Sequence, residues 1–226
     1  MAVLISSLAP VLIILLYIYL RDKYDKEPLW LLVKLVVAGM LVVIPIALVE
    51  RLLVGLMPPL GQVGSAAYHA FVVAGTTEEA LKFVVLYLMV WKHPKFNEKF
   101  DGIVYAVFVS LGFAAVENVM YVLQSGYQTA LVRALTAVPA HALFGIAMGY
   151  YLGIARMYTE LQNRYLGRAI LVPIILHGVY DFILMVGIGW LLFLFVPYVA
   201  YLFMDGMRKM RILSDTSIFK PPEEEV

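Results

Sequence analysis

Four short patterns in this chain space ionisable side chains as chemistry would need them: Glu78-Glu79-x-x-Lys82, Phe113-x-x-x-Glu117-Asn118, a single His141, and His177-x-x-x-Asp181. Attack of water on an amide needs a general base, a donor for the developing oxyanion and a proton for the leaving amine. Burial and a neighbouring like charge both fit a carboxyl to carry that proton, and the adjacent Glu78 and Glu79 supply both conditions. Lys82 lies one turn from Glu78 on the same helix face, so it can hold one member of the pair ionised. Glu79 is turned by about 100°, so the two acids need not share one task. A histidine or Asn118 could donate to the oxyanion, and Asp181 could orient His177 from one turn away. The candidate catalytic residues are therefore Glu78, Glu79, Glu117, His141 and His177, with Lys82, Phe113, Asn118 and Asp181 in support. Glu78, Glu79, His141 and His177 are equally a donor set for a divalent metal such as zinc; a glutamate-activated water with no cofactor is the favoured chemistry. The chain has no His-Glu-x-x-His zinc pattern, no Gly-x-Ser-x-Gly elbow and no cysteine.

Each piece also has a plain structural reading. The Glu78–Lys82 pair could be helix glue, either histidine a hydrogen-bonded cross-link, Asn118 a tie between helices and Asp181 a linker. The setting of the whole ensemble argues otherwise. Of 226 residues, 63% are apolar and 15% charged, against about 25% charged in a soluble domain, and the mean hydropathy is +0.88. An all-α, polytopic transmembrane bundle is the fold class this composition dictates. An ionised acid in the middle of a span costs roughly 2.5–3.5 kcal/mol even on the lenient scale. These acids must be paired, neutral or turned to a wet interior, and an intramembrane ionisable group is a functional candidate by default. A net charge of +1 gives no reason to expect a nucleic-acid partner.

Hydropathy and Pro/Gly punctuation place seven spans, at 3–20, 29–49, 66–91, 102–123, 131–155, 169–186 and 188–204, with eight as the alternative count. The first reads as an uncleaved span, because no basic residue precedes it and no small-residue cleavage site follows. Trp30, Trp91 and Trp190 fall near span ends, as an interfacial belt requires. Thirteen Lys and Arg residues, in the first, third and fifth loops and the tail, face Arg51 and Arg133 on the other side. The excess puts the N-terminus outside and the C-terminus in the cytoplasm. Residues 1–204 form one transmembrane domain, and 205–226 a short cytoplasmic tail expected to be mobile at its Pro-Pro-Glu-Glu-Glu-Val end. In this frame the glutamate pair, Glu117, both histidines and Asp181 share one layer, in the middle and outer half of the membrane. Gly145, Gly149 and Gly153 follow His141 at one-turn spacing and let another helix approach closely, so His141 faces the bundle. Pro139 and Pro173 are expected to bend the helices that carry the histidines and to free backbone carbonyls for a polar cavity.

The four patterns, taken in order with Tyr24-Asp25-Lys26-Glu27-Pro28, Asp101-Gly102-Ile103-Val104-Tyr105 and Leu176-His177-Gly178-Val179-Tyr180-Asp181-Phe182, resemble the PrsW family of membrane proteases over residues 9–211. That resemblance implies a multi-pass protease of the bacterial inner membrane. Its substrate would be a single-pass membrane protein, an anti-sigma factor, in which it makes the first (site-1) cut of a stress response. It also implies kinship with CAAX prenyl proteases, bacteriocin-processing enzymes and, distantly, a gamma-secretase subunit. Catalysis would fall on the double glutamate and the histidines, with Glu117 a further candidate. Two other classes stay open on the residues alone. A proton-coupled transporter could use the same acids and imidazoles as a relay, although no internal repeat supports it. A non-catalytic scaffold could hold a partner helix in the polar groove.

Overall fold

A computed structural model describes residues 2–221, so the end of the tail lies outside the described residues. Among them the secondary structure is helical, with no strand. In chain order the elements are α1 (Ala2–Arg21), α2 (Leu29–Leu41), α3 (Val43–Gly55), α4 (Gln62–Ala67), a π-helical segment (Tyr68–Thr76), α5 (Thr77–Val90), α6 (Lys99–Ser125), α7 (Tyr127–Leu135), α8 (Ala137–Met157), α9 (Gln162–Met185) and α10 (Leu192–Asp215). Five helical runs are long and apolar enough to cross a membrane, one of them α2 and α3 taken together. The Gln62–Val90 run is also long but carries Glu78, Glu79 and Lys82. The apolar part of α1, Ile5–Arg21, is shorter.

Three boundaries differ from the expected spans for physical reasons. The fifth span is two helices, because Pro139 cannot donate to the carbonyl of Leu135 and its ring crowds that turn. The break falls at Thr136, with φ −122° and ψ −75°. Pro139 thus sits in the first turn of α8 and ends a helix where a bend was expected, whereas Pro173 is accommodated inside α9. The last span continues past 204 to Asp215 without interruption, since hydropathy marks where lipid ends and not where a helix does. The second continues to Gly55, which brings Glu50 inside the span.

α6 is the central pillar. Every residue from Phe100 to Ala115 on it is buried, as expected of a helix that is apolar or small on all faces. Its closest neighbour is α8, and glycines set the distance. A Cβ on Gly149 would lie 2.2 Å from the carbonyl oxygen of Gly102, and one on Gly153 would lie 2.0 Å from that of Lys99. The small-residue stripe after His141 therefore does the packing expected of it.

The loops rich in basic residues meet at one end of the bundle. Asn97 donates to Asp25 (3.0 Å), Trp30 packs on His93, Arg156 donates to the carbonyl of Phe96 (3.4 Å), and Ser217 bonds Glu98. Glu98 and Asp101 cap α6 there in a reciprocal capping box. Asp22 and Glu27 are buried beside them; burial pushes Asp22 up to about 6 and Glu27 up to about 7, with neighbouring carboxylates adding to both shifts. At the opposite end Gln62 donates to the carbonyl of Val186 (2.9 Å) and Tyr68 to that of Leu53 (3.0 Å).

Candidate active site

The π-helical segment aims the central acids. Turns closed by i→i+5 bonds are wider than α-turns and rotate whatever follows them. The Thr76 hydroxyl also donates back to the carbonyl of Phe71 (2.6 Å) within this segment. Gly75 and Gly178 let this segment press against α9: a Cβ on Gly75 would meet the Ile174 carbonyl oxygen at 3.1 Å, and one on Gly178 would strike the Phe71 ring. Immediately after the π turn, Glu78 and Glu79 open α5 facing the bundle axis, and Lys82 follows on the same side. All three are buried.

The Lys82 ammonium is the hub. It donates to Glu78 Oε2 and Glu79 Oε1, both at 2.9 Å, and lies 3.4 Å from His141 Nδ1. The Phe113 ring covers it at 3.9 Å, a cation–π contact that gives Phe113 its place in the pattern. His177 approaches from α9, its Nδ1 3.0 Å from Glu79 Oε1 and 3.9 Å from Glu78 Oε2. The two imidazoles are arranged alike. Each turns Nδ1 toward the acid–lysine centre and Nε2 toward a carboxylate, Glu117 at 2.9 Å for His141 and Asp181 at 3.4 Å for His177. Glu117 is itself held by the Arg133 guanidinium at 2.7 Å. Ser110 takes the His141 carbonyl (2.7 Å), and the Phe144 ring stacks on His177 at 4.8 Å.

Every candidate residue except Asn118 therefore belongs to one connected constellation on α5, α6, α8 and α9. Asn118 has both ends of its amide occupied, donating to the Ser7 carbonyl (2.7 Å) and accepting from Arg133 (3.0 Å). That makes it a tie between helices.

A cavity of about 570 Å³ opens beside this centre. Glu78, Phe113, Glu117, His141, His177 and Asp181 reach its wall, whereas Glu79 and Lys82 lie behind it. Three residues with charged or imidazole side chains that also line it were missed by the sequence patterns: Glu50, His69 and Arg133. Glu50 fell one residue beyond the expected end of its span, His69 belongs to the π segment, and Arg133 was counted only as a loop charge.

The constellation also fits a divalent cation. One ligand atom from each of Glu78, Glu79, His141 and His177 lies within 4.8 Å of all the others. Metal-ligating imidazoles usually turn their second nitrogen to a carboxylate or carbonyl, as both do here. Glu79 Oε2 is a buried acceptor without a hydrogen-bond partner.

A helical membrane bundle with paired glutamates and two carboxylate-backed histidines, opening on an internal cavity, has the architecture of an intramembrane protease. Comparison with known proteins makes that assignment specific. Residues 27–204 match the profile described as PrsW family intramembrane metalloprotease, and the chain belongs to that family. It is 41% identical over 185 residues to Protease PrsW of Geobacillus kaustophilus, covering 82% of this chain and 80% of the relative. It is 37% identical over 215 residues to Protease PrsW of Bacillus subtilis, covering 93% and 94%. The corresponding protein of Clostridioides difficile is 38% identical over 210 residues. No solved structure matches the chain. The chain is thus a membrane-embedded protease acting on protein substrate.

Proposed function

We propose that this chain cuts a single-pass membrane protein, an anti-sigma factor, at the first site of a proteolytic cascade in the bacterial inner membrane. The observation that carries the hydrolytic reading is the meeting of Glu78, Glu79, His141 and His177 in one buried cluster, of which all but Glu79 reach the wall of a 570 Å³ cavity within the bundle. The choice of substrate and membrane rests on the family resemblance. The gathering of the basic loops at one end supports an orientation with that end in the cytoplasm and the cavity in the middle and outer half of the membrane. Residues 1–204 are the protease domain, with 205–226 its cytoplasmic tail.

Glu78 reaches the cavity while Glu79 does not, so Glu78 is the base. It takes a proton from the attacking water as the carbon–oxygen bond forms, and delivers it to the amine as the carbon–nitrogen bond breaks. Lys82 fixes the carboxylates of Glu78 and Glu79 in place. His141 and His177, held by Glu117 and Asp181, orient the water. Catalytic metal sites keep three protein ligands and one open position, and Glu79, His141 and His177 would supply the three here. The chemistry a divalent ion would supply there is Lewis-acid polarisation of the scissile carbonyl. The test is cleavage of a single-pass substrate in proteoliposomes by Glu78→Gln, Glu79→Gln and His177→Ala. Each change is expected to abolish product, and full activity in all three would end this reading.

A further inference from the structure

We infer that Glu50 is a specificity residue, the anchor for a lysine or arginine side chain that the substrate carries within a few residues of its scissile bond; this rests on the protease reading above. Glu50 sits on α3 inside the Leu29–Gly55 span, about one and a half turns from its end. It lines the same cavity as Glu78, His141 and His177, and its electrostatic neighbours are Glu78, Glu117, Lys82 and His177. It therefore faces the reacting centre and not the lipid.

Charge accounting singles it out among the acids that reach the cavity wall. Glu78 is matched by Lys82, Glu117 by Arg133 and His141, and Asp181 by His177. Glu50 makes no hydrogen bond or ion pair with any described residue. Among the described residues no cation pairs with it: the Arg133 guanidinium is spent on Glu117 and Asn118, while Lys82 and His177, which act on it only at longer range, are bound by Glu78, Glu79 and Asp181. An acid at membrane depth is costly unless a partner or water compensates it, and here the open side is the space a substrate must fill. A peptide entering that space displaces water from Glu50. A basic side chain restores the lost compensation, a neutral one leaves the carboxylate stripped, and an acidic one is repelled. The α3 wall thereby reads the sign of the incoming segment, while α5, α8 and α9 do the chemistry.

The test is a set of single-pass peptides, identical except for one position scanned across the scissile bond as Lys, norleucine or Glu. Each is presented in proteoliposomes to the wild-type chain, Glu50→Gln and Glu50→Lys, with kcat and KM measured separately and binding followed by fluorescence anisotropy. At one position the wild type should prefer Lys over norleucine by roughly tenfold or more in kcat/KM, chiefly through KM. Glu50→Gln should bring that ratio close to one, and Glu50→Lys should turn the preference toward Glu. Peptide cleavage with no preference for Lys at any position, or a preference that survives Glu50→Gln, overturns the inference while leaving the protease reading intact. Should no peptide be cleaved, the protease reading fails and anisotropy decides the role of Glu50. Tighter wild-type binding of the Lys peptide, lost in Glu50→Gln, sustains it, and equal binding overturns it.

Discussion

Replacing Lys82 with methionine keeps the length and apolar volume of the side chain and removes its charge. The ammonium is fully buried and touches two carboxylates, each at 2.9 Å. Taking one partner from a buried ion pair costs about 3–5 kcal/mol, because the charge left behind has neither water nor counterion. Loss of the cation–π contact with Phe113 adds about 1 kcal/mol. At about 2–4 °C per kcal/mol for a chain of this size, Lys82→Met should lower the melting temperature in detergent by roughly 8–24 °C. The reasoning makes a second demand. Adding Glu79→Gln removes one stranded charge at nearly constant shape, so the double variant should be clearly more stable than Lys82→Met alone. In the wild-type background the same Glu79→Gln change should destabilise. That sign reversal is the coupling a double-mutant cycle isolates, and thermal unfolding followed by tryptophan fluorescence would read it. A Lys82→Met variant within about 1 kcal/mol of wild type, or a double variant no better than the single, would refute the claim that this ammonium holds the acids together.

Metal analysis of protein purified without a metal-binding tag should find one divalent ion per chain; His177→Ala and Glu79→Gln should lose it, and full cleavage by metal-free protein would show that the glutamate-activated water works alone. Arg133→Gln leaves Glu117 with only His141 to hold it, and should reduce ion affinity or cleavage by about 10–100-fold, an effect absent if Arg133 serves only the helix interface. Glu27 gives a pH signature at the other end of the bundle. Burial raises it to about 7 in the folded chain, from 4.5 when exposed, so between those values the folded state keeps a proton that the unfolded state has released. Stability from this group is complete below the unfolded value and is lost as pH rises through about 7. The melting temperature should fall from pH 5 to pH 8, and Glu27→Gln should flatten the slope and raise stability at pH 8, with Asp22 keeping part of the trend. A Glu27→Gln profile parallel to wild type would refute the assignment.

What the residues disclosed in advance, and what they hid, divides along physical lines. Runs of apolar side chains fix where a chain can sit in lipid, so the bundle and the approximate spans were legible. Intramembrane charge is so costly that Glu78, Glu79, Lys82, Glu117, His141 and His177 stood out as candidates, and the structure brings them together; the one-turn spacing of Gly145, Gly149 and Gly153 announced a close helix contact that α6 provides. Whether a metal is held was harder to judge from the residues, because the matching arrangement of the imidazoles is only half local: Asp181 lies one turn from His177 on the same helix, but the turn of His141 toward Glu117 joins α8 to α6. The residues left Asn118 open between oxyanion donor and tie between helices, because its partner Ser7 lies 111 positions away.

The residues that stayed hidden did so because their roles depend on where a helix changes. Hydropathy ended the second span at 49, one position short of Glu50, although the helix continues to Gly55. It joined α7 to α8 across Pro139, and so left Arg133 on a nominal span end when it sits on a separate short helix that reaches over to Glu117. It had no means of marking the π turn, whose width is supported by the packing of Gly75 and Phe71 against Gly178 on α9. Each of these irregularities alters which way a side chain faces while leaving composition untouched. The cost of burying charge thus marks Glu78, Glu79 and the two histidines as candidates in the sequence itself, whereas Glu50 and Arg133, close to the ends of α3 and α7, become visible only once those helices are traced.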